Sequence, residues 1–470
     1  MEDGLDKTLN RKIGFKYIAI DGKRQARLLR LSRDNPNQTP SYNLEAVPLA
    51  NLKWTNYKAL SYTWGQASRA DIQEIQIDGQ PFFIRRNLFD FLATATAKEE
   101  YGLFFIDAIC INQLDHVERQ FQVQEMARIY RNANEVIAWL GFPDTKQHDN
   151  VRALSQTIRN GSCRKDCATW TTEQWEGFRH LSYHSFWSRV WIVQEVLLAS
   201  SMVVWCGSFT FPVALFGSTT GTMPSPVMKV ADNGRPSIVM SASLQLRSPA
   251  ETITTHRLRQ VPRPLMDPLA QGTKIGTIEE MTRDLGRKTE VMRTYQSRVP
   301  DLLCEAVRKF GKLGCSDPRD RLYGLLGILK ESIRAKVEVD YSRDVSFAYY
   351  QALKIGLQEL SIERSSPGGL ADADGAFLGY YCDARDAFNM GDGESLLILR
   401  QVLGELRFHT LSQDNLFQAQ WQQHFSWTDV EIKTYPDLKK LLAYAGQEIV
   451  EPEDFLYKFH TKQRRVVKNL

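Results

Sequence analysis

Cysteine is scarce in this chain, with seven in 470 residues, and the number is odd. A secreted scaffold held by disulfides is therefore not expected. No run of 18 apolar residues occurs, so no membrane-spanning helix is expected. The opening residues MEDGLDKTLNRK hold no apolar stretch of the kind a signal peptide needs, and the closing RVVKNL carries no lipidation signal. A cytoplasmic location is the expectation. Charge of one sign is also lacking: 59 basic residues face 55 acidic ones, for a net charge of +4. That balance argues against a polyanion binder, and no nucleic-acid partner is expected. The phosphate-cradling, serine-hydrolase, zinc-protease and dinucleotide signatures (Walker loop, GxSxG, HExxH, GxGxxG) are all missing.

What is present suits a globular protein of more than one domain. The chain is 43% hydrophobic and 11% aromatic, and its mean hydropathy is −0.36, enough apolar material for a sizeable core. Residues 14–31 place Asp21-Gly22 between two apolar runs and suggest a hairpin, followed by a polar loop over 32–54. KALSYTWG (58–65) reads as a buried strand. EIQIDGQPFFI (74–84) reads as a hairpin turning at Asp78-Gly79, and 87–98 as a helix with Asn87 as its cap. LFFIDAIC (103–110) reads as a strand buried on both faces, with Asp107 inside it. An amphipathic helix over 115–132, capped by Asp115, and a strand at 135–141 complete a strand–helix–strand unit, the mark of a parallel sheet. Helical patterns over 146–184, a mostly helical 186–199 and a strand at 201–207 follow. Eight of the 18 prolines fall in 211–270, which reads as an irregular insertion or linker. Beyond it, helical patterns dominate. The expected organisation is an N-terminal hairpin and loop region (1–54), an α/β domain (55–210), a Pro-rich insertion (211–277) and a mainly helical C-terminal region (278–470).

Three ordered blocks carry the strongest signal. They are Tyr57-Lys58-Ala59-Leu60-Ser61-Tyr62-Thr63-Trp64-Gly65, then Phe105-Ile106-Asp107-Ala108-Ile109-Cys110-Ile111-Asn112-Gln113 continuing through Glu118-Arg119 to Trp139-Leu140-Gly141, then Phe186-Trp187-Ser188-Arg189-Val190-Trp191-Ile192-Val193-Gln194-Glu195-Val196. In order and spacing they resemble the fungal HET-domain (heterokaryon incompatibility) proteins over residues 55–200. Two weaker blocks, Asp317 to Gly327 and Asp340-Tyr341-Ser342, resemble them loosely over 301–350. The resemblance implies an α/β fold with a mostly parallel sheet flanked by helices, remotely TIR-like. It also implies a part in vegetative incompatibility, with non-self recognition and programmed cell death through a protein partner or self-assembly. Two alternatives accompany it: a TIR-like NAD glycohydrolase, with NAD as substrate rather than cofactor, and a regulatory accessory of a secondary-metabolite gene cluster.

The residues allow chemistry at one cluster. Asp107, Asn112 and Gln113 fall at or just past a strand end, where parallel sheets open their ligand crevice, with Arg119 opening the next helix. They form either a polar pocket for a sugar or phosphate, or a hydrogen-bond network tying the strand end to its loops. Arg189, Gln194 and Glu195 share the third block. Glu195 in apolar surroundings is either a proton-transfer carboxylate or the partner of Arg189 or Arg119 in a positioning ion pair. Cys110 is expected to be structural, because a nucleophile needs a base at the same point. Cys163, Cys167, His180 and His184 fit a zinc-finger spacing. Thr171 and Gly177 stand where such a finger needs its apolar core, however, so no metal is expected. Trp64, Trp139, Trp187 and Trp191 are expected in the core. The basic tail Lys458–Leu470 is a candidate membrane-surface contact.

Overall fold

The computed structural model describes residues 5–33, 38–65, 68–159, 170–216, 225–230, 236–241, 248–250, 253–254, 302–364 and 373–391, with 393–395, 397–399, 401–402 and 405. The chain divides into two compact units, Met1–Pro300 with Leu326–Ile328, and Asp301–Leu325 with Leu329–Leu470. The Pro-rich stretch falls largely outside the described residues, as do Cys163, Cys167 and the basic tail. Within it, strands β10 (Ser225–Val230) and β11 (Pro236–Ser241) pair antiparallel.

The first unit is an α/β structure. Its sheet has nine strands among the described residues. In chain order these are β1 (Gln25–Ser32), β2 (Ser41–Pro48), β3 (Tyr57–Tyr62), β4 (Ile72–Ile77), β5 (Gln80–Arg85), β6 (Gly102–Phe105), β7 (Glu135–Trp139), β8 (Met202–Cys206) and β9 (Phe209–Pro212). Across the sheet they run β5-β4-β2-β1-β6-β3-β7-β8-β9. The parallel part is the centre, where β3 pairs with β6 and β7, and β7 with β8. The flanks add antiparallel pairs: β1 with β2 and β6, β4 with β5, and β8 with β9. β3 is central because both its faces are apolar: Tyr57, Ala59, Leu60, Ser61 and Tyr62 are all buried, as a strand covered on both sides must be. Helix α2 (Arg86–Ala97) seals the centre with Phe91, whose ring meets Phe104, Trp139 and Trp205 at 5.9–6.0 Å between centroids.

Several elements sit where their sequence places them. The turn between β4 and β5 has positive φ at both Asp78 (52°) and Gly79 (72°), as a two-residue hairpin of type I′ requires. Helix α4 (His116–Asn132) starts on Asp115, whose carboxylate accepts from the amides of Val117 and Glu118. Helices α5 (Thr145–Arg159) and α6 (Thr172–Ser182) and the short α7 (Ile192–Leu197) follow. Trp139 and Trp187 are fully buried, while Trp64 and Trp191 are half-buried.

Four details differ from expectation. Residues 14–20 form no strand. A helix, α1 (Leu5–Ile13), precedes them, and β1 takes as its hairpin partner β2, from the stretch expected to be loop. Phe15 instead packs its ring on Phe82 at 4.7 Å, the Ile18 side chain is exposed, and the carbonyl of Ile18 accepts from Arg27 Nε at 2.7 Å. Asn87 does not cap α2. Its amide donates to the Thr63 carbonyl (2.6 Å) and its oxygen accepts from Trp139 Nε1 (2.9 Å), tying the ends of β3 and β7 to the helix. Asp107 does not lie inside a strand: β6 stops at Phe105, and Asp107 opens a single helical turn, α3 (Asp107–Cys110), with Oδ1 accepting from the Ala108 amide. A run of apolar residues alone cannot distinguish these. The stretch 186–199 is a 3-10 turn (Ser185–Ser188) followed by α7 rather than one helix.

The second unit is helical, as expected. Among the described residues it holds helices α8 (Leu303–Phe310), α9 (Asp320–Tyr323), α10 (Glu331–Arg334), α11 (Val345–Arg364) and α12 (Ala373–Phe388). Glu359 of α11 accepts from the amides of Leu303 and Cys304, capping α8. The two weaker sequence blocks meet here. Arg319 pairs with Asp317 (2.7 Å) and donates to the Tyr341 carbonyl, while the Tyr341 hydroxyl donates to Asp320 (2.6 Å). Among the described residues no helix is long and apolar enough to cross a membrane.

Candidate functional site

The carboxyl ends of β3 and β6 converge on two adjoining features, a buried carboxylate cluster and a cavity. The cluster joins the three sequence blocks. Ser61 of β3 donates its hydroxyl to Glu195 of α7, and Arg189 Nη1 stands 3.9 Å from the same carboxylate oxygen. Glu195 is 2% exposed. Burial pushes its carboxyl above the usual range, while Arg189 and the Ser61 and Tyr130 hydroxyls pull it back. Asp107 is likewise raised by burial and held down by Arg189 and by Trp64, whose Nε1 donates to Oδ2 at 3.0 Å. One guanidinium thus serves two carboxyls. Tyr130 completes the wall, its hydroxyl donating to the Leu60 carbonyl at 2.9 Å.

Gln194, beside Glu195, turns its side chain toward Gly327. A Cβ on that glycine would meet Gln194 Cδ at 2.9 Å and Ala127 Cβ at 2.7 Å. This contact explains a glycine in the downstream block and ties Leu326–Ile328 to α4 and α7.

The cavity, about 190 Å³, opens beside this cluster under α1. Tyr62, Trp64, Asn112 and Gln113 form one side, and α1 and β5 the other. The structure therefore brings Asn112 and Gln113 to a crevice at the strand ends, with Asp107 behind Trp64. Glu195, Arg189, Gln194 and Arg119 are not in its lining. Gln113 Nε2 donates to the Asp107 carbonyl (3.2 Å), and Asn112 Oδ1 accepts from the Leu114 amide (3.2 Å).

The residue that sequence reasoning missed is Arg27. It is 2% exposed and pairs with both oxygens of Glu118 (2.6 and 3.0 Å) while donating to the Ile18 and Cys110 carbonyls. Glu118 also accepts from the Asn112 amide at 2.7 Å, so this pair sets the loop that carries Asn112 and Gln113. The signal was an arginine inside the apolar run ARLLRL. Cys110 lies on the same turn. Burial raises its thiol to about 12, and its sulfur hydrogen-bonds backbone groups, the Ile106 amide and the Phe104 carbonyl among them.

Residues 57–195, which carry the three blocks, match the family model for Heterokaryon incompatibility protein (HET). Over 197 residues the chain is 26% identical to "Heterokaryon incompatibility protein 6, OR allele" of Neurospora crassa, covering 32% of this chain and 29% of that relative. The chain thus spans well under half the length of the curated relative it matches. No solved structure matches it.

Proposed function

We propose that this chain is a vegetative (heterokaryon) incompatibility protein. In this reading it acts in the cytoplasm, in non-self recognition and programmed cell death, through contact with a protein partner or with a second copy of itself. The observation that carries this reading is the HET match over 57–195, together with the similarity to a relative named for heterokaryon incompatibility. The geometry around Glu195 favours contact over chemistry. That carboxylate is enclosed by Ser61, Arg189 and Tyr130 and stands outside the lining of the cavity, which suits a residue that positions α7 against β3. The enzymatic reading, NAD hydrolysis with Glu195 as the carboxylate, has one feature in its favour, the burial that raises the Glu195 carboxyl.

Inducible expression of the full chain in a filamentous fungus tests the proposal. Death of the expressing compartments, scored with a viability dye while cellular NAD stays level, is the expected result. Healthy growth at full expression, both alone and with each candidate partner, would sink the incompatibility reading. Loss of NAD before death would favour the enzyme.

A further inference from the structure

The cavity under α1 has a composition that the incompatibility reading does not use. Among the described residues of its lining, three cations, Lys7, Arg11 and Arg85, stand against one acid, Asp6. Asp6 itself pairs with Arg85 at 3.2 Å. The indole of Trp64 is fixed at its edge by Asp107. The ammonium of Lys7 lies 5.0 Å, and the guanidinium of Arg85 5.4 Å, from its ring centre. Phe15, Tyr17 and Phe82, mutually in edge contact, give the remaining apolar wall.

Two polar atoms complete the site. The inward atoms of Asn112 and Gln113 are committed to backbone groups, Oδ1 to the Leu114 amide and Nε2 to the Asp107 carbonyl. Asn112 Nδ2, a donor, and Gln113 Oε1, an acceptor, have no hydrogen bond to the described residues. The amide wall therefore offers one donor and one acceptor beside flat apolar surface and positive charge. α1 is fastened over it by directed bonds. The Asn10 side chain makes both a donated (2.8 Å) and an accepted (2.7 Å) hydrogen bond with the backbone of Phe83 on the edge strand β5.

We propose that this cavity is a binding site for a small planar anion, a single aromatic ring bearing one carboxylate or phosphate. The aromatic walls select the ring, the cations select the charge, and Asn112 with Gln113 orients the ring's polar edge. The volume of about 190 Å³ lies below the range of pockets that take drug-sized ligands, which fits one ring rather than a dinucleotide.

The test is calorimetric titration of the full chain with benzoate, phenyl phosphate, inorganic phosphate and neutral benzamide. Saturable binding of benzoate or phenyl phosphate, at least tenfold tighter than benzamide, is expected, and the tighter of the two identifies the acid group. Inorganic phosphate should bind at least tenfold more weakly than phenyl phosphate. Arg85→Gln should weaken the preferred anion at least fivefold, with the thermal midpoint recorded alongside. Lys7→Gln, on the half-exposed face of α1, provides the same readout if Arg85→Gln fails to fold. No saturable binding of either ring acid, benzamide binding as tightly as both, inorganic phosphate matching phenyl phosphate, or unchanged affinity in Lys7→Gln would each overturn the proposal.

Discussion

Replacing Arg189 with leucine probes the carboxylate cluster directly. The guanidinium stands 3.9 Å from Glu195, a separation at which two unit charges attract by about 4 kcal/mol at an effective dielectric constant of 20. Breaking a buried pair from one side costs roughly 3–5 kcal/mol. Arg189 is about one-fifth exposed, with a side-chain accessibility of 21%, so the lower end applies and a loss of about 3 kcal/mol is expected at pH 8. The pH dependence gives the sharper readout. Burial already raises the Glu195 carboxyl from 4.5, so the folded chain keeps that proton to higher pH than the unfolded chain does. Stability from this group is therefore whole below 4.5 and falls as pH climbs through the raised value. Removing Arg189 raises Glu195 and Asp107 further and deepens that fall. At pH 4, below the ordinary Glu195 value of 4.5 that burial raises further, that carboxyl keeps its proton and a smaller loss is expected. Urea unfolding followed by tryptophan fluorescence at pH 4 and pH 8 measures both values. Equal destabilisation at the two pH values would refute the assignment of Arg189 as counter-ion to this cluster.

Arg27→Met should destabilise the first unit by roughly 3–5 kcal/mol, because it leaves Glu118 buried without its partner; the urea midpoint reports it. Gly177→Ala has no space for its methyl group, since a Cβ there would fall 2.8 Å from the Asn150 carbonyl carbon, and a loss of about 1–3 kcal/mol is expected in the same assay. Cys110 and Cys206, both raised by burial to about 12, should resist iodoacetamide at pH 8 in the native chain and react on unfolding, which mass spectrometry can score.

Three features were legible because period, burial and turn chemistry agree there: the central strand in KALSYTWG, the Asp78-Gly79 turn at the sheet edge and the Asp115 helix cap each allow one local solution. Elsewhere the local pattern was outweighed by distant partners. FKYIAI has strand composition, yet Phe15 finds Phe82 and the Ile18 carbonyl finds Arg27, and no spacing along the chain announces either. Asn87 has the chemistry of a cap but serves Thr63 and Trp139. Asp107 was read as the anomaly of an apolar strand, and the anomaly was real. The acid ends the strand and anchors Trp64. Arg189 and Glu195 were recognisable as a pair because the third block carries both. The separation of that pair from the cavity lining depends on α1, which the sequence reading did not foresee.

The proposed reading is that this chain acts by contact and that Glu195 positions α7 rather than reacting. Glu195→Gln keeps the shape of the side chain and its contact with Ser61 while removing the carboxylate. The most direct measurement is fungal cell death on induced expression of wild type and Glu195→Gln side by side, with cellular NAD and the urea midpoint recorded for each. Death at wild-type strength in the variant, with NAD unchanged in both, is the expected outcome. A stably folded variant that no longer kills, set against a wild type that depletes NAD, would contradict the account.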